Sequence, residues 1–351
     1  MILLNPGPVN VSPRVTAALG RGDICHREPE CAELLERIRG RLLEAFAPRG
    51  FTAVLITGSG TAAVEAAVTS VCSERGRLVV VSNGVYGERI TAMARAARIP
   101  VTPVETAWTA PPDLDAVEAA LRVPDVEAVA IVHHETTTGL LNPVAEVARR
   151  ARALGKLVLV DAVSGLAGDV LDVAHADLVV GTGGKCIQAF PGIAFVLVRH
   201  EVMARLATFP RHSLYLSLAT YTANPMPFTP AVQVAYALDE ALGELLEETV
   251  AGRIARYAAA AGRLRDGFAR LGLECVLPPE RRSNTITSLR FPKRRSYAEL
   301  HDALKARGYV IYEGQGWFAR EAFRVANMGA LRPSDLDGFL SALGAALGSA
   351  R

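Results

Sequence analysis

Lysine is scarce in this chain. Lysine and arginine together number 38 among 351 residues, yet Lys156, Lys185, Lys293 and Lys305 are the only lysines. Chemistry that needs a side-chain amine is confined to four positions. Cysteine is thin as well: Cys25, Cys31, Cys72, Cys186 and Cys275 include no C-x-x-C pair. An odd, scattered set argues against a disulfide framework or a thiolate zinc site, so free thiols in a reducing cytoplasm are expected and no metal. No run approaches the roughly 18 apolar residues of a membrane-crossing helix. The opening MILLNPGPVNVSPRV has no basic stretch ahead of an apolar core, so neither insertion nor secretion is expected. An excess of one charge is also missing. With 38 basic residues interspersed among 36 acidic ones, no basic face is on offer to nucleic acid or an anionic membrane. A small-molecule partner is what remains.

What is present is apolar and periodic. Half of the residues are hydrophobic, enough for one large core and a smaller one beside it. From Phe51 to about Arg199 the runs AVLI, LVVV, AVAIV, LVLV, DLVV and AFVLV alternate with small-residue loops and alanine-rich amphipathic stretches. Runs apolar on both faces that alternate with helices predict an α/β fold around a mostly parallel sheet covered on both sides. Beyond Arg199 a Pro- and aromatic-rich segment, Phe209 to Pro230, leads into a helical stretch from about Val232 to Leu271. The strands TITSLRF, YVIYEG and AFRVAN and two helices then form a small α+β end domain. The expected divisions are residues 1–20 as an N-terminal segment, 21–250 as the large domain and 251–351 as the small one.

In open α/β sheets, ligands sit beyond the strands' carboxyl ends, which directs attention to three loops. TGSGTAAVEAA follows AVLI: Gly58 and Gly60 allow close backbone approach, Ser59 and Thr61 offer hydroxyls, and a helix start offers free N–H groups to an anion. Taken alone, the same residues read as a helix N-cap. Asp161 ends the apolar run LVLV, where a carboxylate is costly unless it meets a cation or several donors. Lys185 follows DLVV and two glycines, whereas Lys305 lies on a polar helix face, Lys293 in the run KRR and Lys156 just before a strand. A partly desolvated lysine supplies a neutral amine. A phosphate cradle, a lysine able to form an imine and an acid to face a pyridinium nitrogen are what pyridoxal 5′-phosphate requires.

Through GSGTAAVEA, VSNGVYGERI, HHETTTGLLNP, VDAVSG, GGKCIQAFPGIAFV and FRVANMG, nearly the whole chain resembles the class V aminotransferases of fold type I. The resemblance implies a large domain with a mostly parallel seven-stranded sheet and a small C-terminal α+β domain. It implies Lys185 as cofactor anchor and proton carrier, Asp161 as partner of the ring nitrogen, and Ser59, Gly60 and Thr61 on the phosphate. By the same matching, Tyr86 and Val163 flank the ring and the Thr136 hydroxyl approaches its oxygen. Thr229 reaches the phosphate from a neighbouring subunit, so a homodimer with its active site at the subunit interface is expected. Arg324 grips a substrate carboxylate, and Pro6 and Gly7 fold over the substrate. HHETTTG and KCIQxxPGxAFV point to the branch that passes the amino group of 2-aminoethylphosphonate to pyruvate. A phosphonate should need a further cation, for which Arg27, His26, Arg211 and His212 are candidates. DICHREPE, and Leu214 where that branch tends to carry arginine, favour instead a carboxylated donor of the alanine- or serine-glyoxylate type. Gly184 stands where relatives commonly carry Asn or Gln.

Overall fold

A computed structural model describes residues 1–47, 49–292 and 295–348. Lys293, read above as surface, lies outside the described residues. The central sheet has seven strands: β1 (Phe51–Gly58), β2 (Arg77–Ser82), β3 (Val101–Glu105), β4 (Val126–Val132), β5 (Leu157–Asp161), β6 (Leu178–Thr182) and β7 (Gly192–Arg199). Their order is β1-β7-β6-β5-β4-β2-β3, and only β7 runs antiparallel to its neighbours. Two-residue alternation divides each strand between two cores. Phe51, Ala53 and Leu55 of β1, with Val79 and Val81 of β2, face one core. Val54 and Ile56, with Leu78 and Val80, face the other. The first core is closed by α1 (Pro29–Phe46) and α6 (Val232–Glu248), and the second by α2 (Gly60–Val68) and α3 (Val85–Ala96). Between α3 and α6, α4 (Leu114–Leu121) and α5 (Val144–Ala153) join the first layer.

The sequence runs omit β3, whose VTPVE is half-buried and carries Pro103. It is an edge strand, where a missing N–H costs no interior ladder bond. The stretch predicted as helical from Val232 to Leu271 is two helices, α6 and α7 (Val250–Arg270). Thr249 separates them at φ 67°, and its hydroxyl caps the second by accepting from Gly252 N. Tyr257 of α7 lies in the first core, while Leu264 and Phe268 lie in a third. That third core is built on β8 (Ile286–Arg290), β9 (Tyr312–Glu313) and β10 (Ala322–Ala326), in the order β8-β10-β9, with α8 (Tyr297–Lys305) and α9 (Pro333–Gly348). YVIYEG, read as one strand, breaks at the buried Ile311. Tyr309–Val310 pairs with Ile2–Leu3, and Tyr312–Glu313 with β10. The chain's first residues are therefore part of the C-terminal layer, with Leu4 fully buried there.

Because β7 is antiparallel to both β1 and β6, β1 shares its direction with the parallel strands. Gly58, Ser82, Val132, Asp161 and Thr182 all end strands on one edge of the sheet. No described helix is long and apolar enough to cross a membrane.

Candidate active site

Lys185 leaves β6 through Gly183 and Gly184 and stands in a cavity of about 260 Å³. Burial pulls its amine down to about 8, opposed in part by Cys186 and Asp161 and reinforced by Arg324 and Arg89. Among the described residues it forms no ion pair, and it donates to the Pro6 carbonyl. Gly7 is required at this crossing: its φ is +113°, and a Cβ there would lie 3.0 Å from Lys185 Cδ and Cε. The N-terminal segment is thus folded down on the lysine, with Gly7 and Pro8 lining the same cavity. A side chain at Gly184 would meet Pro191 at 3.1 Å.

Asp161 ends β5 between Val132 and Val180, so hydrocarbon surrounds it in the sheet. It is 6% exposed and accepts one hydrogen bond, from Val163 N at 3.0 Å. Burial raises its carboxyl to about 6, offset in part by the Val163 amide, Lys185 and Arg89. It has no ion-pair partner among the described residues. A buried carboxylate in that condition suits a cationic ligand atom.

Ser59 is the N-cap of α2, but its side chain makes no capping bond. The first amides to turn inward are those of Ala62 and Ala63, leaving the N–H groups of Gly60 and Thr61 without a protein acceptor among the described residues. These orphan donors at a helix start form an anion cradle. Gly60 is needed because a Cβ would lie 2.8 Å from Val163 Cγ1, so the cradle and the Asp161 loop are in contact.

Tyr86, second residue of α3, lines the cavity as well. The start of this helix is held by Glu135, which is fully buried. Glu135 Oε1 accepts from Thr137 N at 3.1 Å and from Thr137 Oγ1 at 2.5 Å, and that hydroxyl accepts from Val85 N at 3.0 Å. Its Oε2 has no partner among the described residues. Burial raises the carboxyl to about 7, offset in part by Thr137 and the Tyr86 amide. Gly84 makes room for it: a Cβ there would fall 2.3 Å from Glu135 Cδ. His133 and His134 beside it are pushed down by burial to about 4 and about 3, so neither is an imidazolium near neutral pH.

Arg324, on β10, is 2% exposed and donates to the Glu313 carbonyl through Nε and Nη2, and to the Thr136 carbonyl at 2.9 Å through Nη1. No carboxylate pairs with it among the described residues, and burial lowers its pKa. A buried guanidinium held by carbonyls keeps its full charge for an anion from outside the chain.

Six residues named from the sequence do not line the cavity. The Thr136 hydroxyl donates to Ser164 Oγ at 2.7 Å and is buried behind the cavity, its carbonyl occupied by Arg324. Thr229 is exposed in a separate cleft with Tyr215 and Phe228, because the Pro-rich segment runs over the outside of β1. Arg27 is exposed in the loop before α1. Arg211, His212 and Leu214 are also exposed and do not line the cavity. Two residues escaped the sequence reading. Arg89 lines the cavity, and its signal was legible: it falls three residues after Tyr86 on one helix, hence on the same face. Glu135 gave no signal, since its role depends on a helix some fifty positions earlier.

A family profile described as aminotransferase class-V matches residues 14–333. The chain is 38% identical over 348 residues to a 2-aminoethylphosphonate–pyruvate transaminase of Syntrophobacter fumaroxidans, covering 95% of this chain and 93% of the relative. It is 36% identical over 355 residues to a protein of the same name from Vibrio cholerae, covering 97% and 96%. Among solved structures, a subgroup IV aspartate aminotransferase from Thermus thermophilus superposes with a TM-score of 0.91 at 29% identity over 99% of each chain.

Proposed function

The chain belongs to the class-V aminotransferase family, and we propose that it transfers the amino group of 2-aminoethylphosphonate to pyruvate, giving phosphonoacetaldehyde and alanine. It is a pyridoxal-phosphate-dependent transaminase of fold type I. Support for the donor comes from the two relatives of that name, each matched over nearly its full length. The observation that carries the chemistry is the position of Lys185: an unpaired amine, held near neutrality by burial, between an anion cradle and a buried carboxylate.

Bound there, pyridoxal phosphate supplies an aldehyde that condenses with amines and a ring that takes up electron density from the donor carbon. The Gly60 and Thr61 amides, with the Ser59 and Thr61 hydroxyls, hold its phosphate. Asp161 keeps a proton on the ring nitrogen: at pH 7 it is already mostly ionised, and a cation beside it lowers its pKa further. Tyr86 and Val163 flank the ring. Lys185 would hold the aldehyde, and its freed amine would carry a proton at the donor carbon. Its lowered pKa leaves an appreciable neutral fraction near pH 7 for that work. Arg324 takes the carboxylate of pyruvate, and Pro6 and Gly7 close the pocket above Lys185 against water.

Thr229, exposed in this chain, enters through a homodimer, acting at the neighbouring chain's cavity, while the exposed Arg27 is a candidate partner for the phosphonate. A cytoplasmic setting suits the five unpaired thiols. Half-reactions followed by visible absorbance test the donor. 2-Aminoethylphosphonate is expected to convert the bound aldehyde to the amine form, and pyruvate to restore it. Conversion by serine or alanine with none by 2-aminoethylphosphonate would assign the chain a carboxylated donor instead.

A further inference from the structure

Arg89 stands one helical turn beyond Tyr86, and both side chains line the Lys185 cavity. Its guanidinium carbon lies 4.6 Å from the centroid of the Tyr86 ring, a cation–π contact that restricts the side chain to the cavity wall. Nη1 is 3.5 Å from Thr61 Oγ1, the hydroxyl at the start of α2. Among the described residues Arg89 pairs with no carboxylate. The adjacent Glu88 is turned away, accepting from Trp108 Nε1 at 3.1 Å. Arg89 is half-buried and meets no acid on its own helix, lying instead against the Tyr86 ring and Thr61.

Its position decides which anion it suits. Gly60 and Thr61 present two amides without acceptors at the same end of the cavity. Those amides and a helix dipole carry only partial charge, whereas a phosphate dianion in a partly dry site calls for a full cation. The other cations of the site are committed elsewhere. Lys185 lies under Pro6 and Gly7 as the aldehyde's anchor, and Arg324, oriented by the carbonyls of Thr136 and Glu313, serves the substrate carboxylate. Arg89 is left facing the cradle.

We infer that Arg89 is a direct ligand of the cofactor's phosphate, completing with a full positive charge the cradle formed by Ser59, Gly60 and Thr61. The inference rests on the cofactor assignment and is independent of the amino donor. It gives the chain a means of selecting the phosphorylated cofactor, and it couples phosphate binding to the Tyr86 ring, since one guanidinium touches both.

Titrating the cofactor-free full-length protein with pyridoxal 5′-phosphate and with pyridoxal, reading visible absorbance, separates the possibilities without any amino donor. Arg89→Gln is expected to weaken pyridoxal 5′-phosphate about ten- to a hundredfold, the range for a hydrogen bond between charged groups. Pyridoxal affinity should stay within about twofold, because it lacks the group Arg89 meets. Arg89→Lys should recover part of the loss, keeping charge without the fork. Equal weakening of both ligands would make Arg89 a structural residue and overturn the inference. So would unchanged affinity for both, including the case in which only the KM for 2-aminoethylphosphonate rises.

Discussion

The reactive residues owe their properties to burial more than to pairing. Lys185 forms no ion pair among the described residues, and burial draws its amine down to about 8 against the opposing pull of Cys186 and Asp161. The sign follows directly: below that pH the amine is charged and unreactive, above it neutral. The rate at which cofactor-free protein condenses with pyridoxal is therefore expected to rise about tenfold per pH unit up to about 8 and then level off; stopped-flow absorbance across that range checks it, and a slope continuing to pH 10 contradicts it. Asp161 is raised by the same cause, to about 6. Protonation on acidification removes the charge that the ring nitrogen meets, so cofactor affinity should fall as pH drops through about 6. In Asp161→Asn that dependence should vanish and turnover should fall about a hundredfold, as for other losses of a preorganised charge partner. These two residues were legible in the sequence because a charged side chain at the end of an apolar strand is conspicuous. Gly7 was legible only through family resemblance, since 179 positions separate Lys185 from the Pro6 carbonyl it meets. Arg89 could have been found from its spacing to Tyr86, whereas Glu135 reads as an ordinary loop charge until the fold brings it inward.

At the scale of elements, the strands were readable because both faces are apolar, and β3 escaped because an edge strand need not be. The break at Thr249 was hidden by continuous helical periodicity on either side. α3 shows what a helix start can do when its cap comes from a distant segment. Glu135 and Thr137, in the loop after β4, hold the amides that aim Tyr86 and Arg89. Glu135→Ala removes that support and is expected to cost about 1–3 kcal/mol, the range for leaving buried donors unsatisfied. Thermal melting measures it, and Glu135→Gln should cost less because an acceptor oxygen remains. Gly84→Ala should lower the melting temperature as well, by forcing a methyl into the Glu135 carboxyl. If Glu135→Ala melts like the parent protein, the cap is not what holds this helix.

At the scale of the whole molecule, the first residues of the chain meet the C-terminal strands and helices in the third core. Leu4 packs among Phe323, Phe339 and their neighbours, while Pro6 and Gly7, two residues on, cover Lys185. Trp108 of the large sheet's outer loop stacks on Trp317 at 5.1 Å and adds a second junction between the layers. The exposed Thr229 carries the proposal of a shared site to an experiment. Lys185→Ala and Thr229→Ala chains mixed and reassociated should contain one intact site per hybrid dimer, and activity should exceed the sum of the separate variants. No gain on mixing would leave each chain catalytically self-contained. The most direct test of the account is reductive trapping of the cofactor in the full-length protein with borohydride, followed by peptide mass mapping across all four lysines. Label confined to the peptide bearing Lys185, and lost in Lys185→Ala together with turnover, is the expected result. Label on Lys156, Lys293 or Lys305 in place of Lys185 would contradict it.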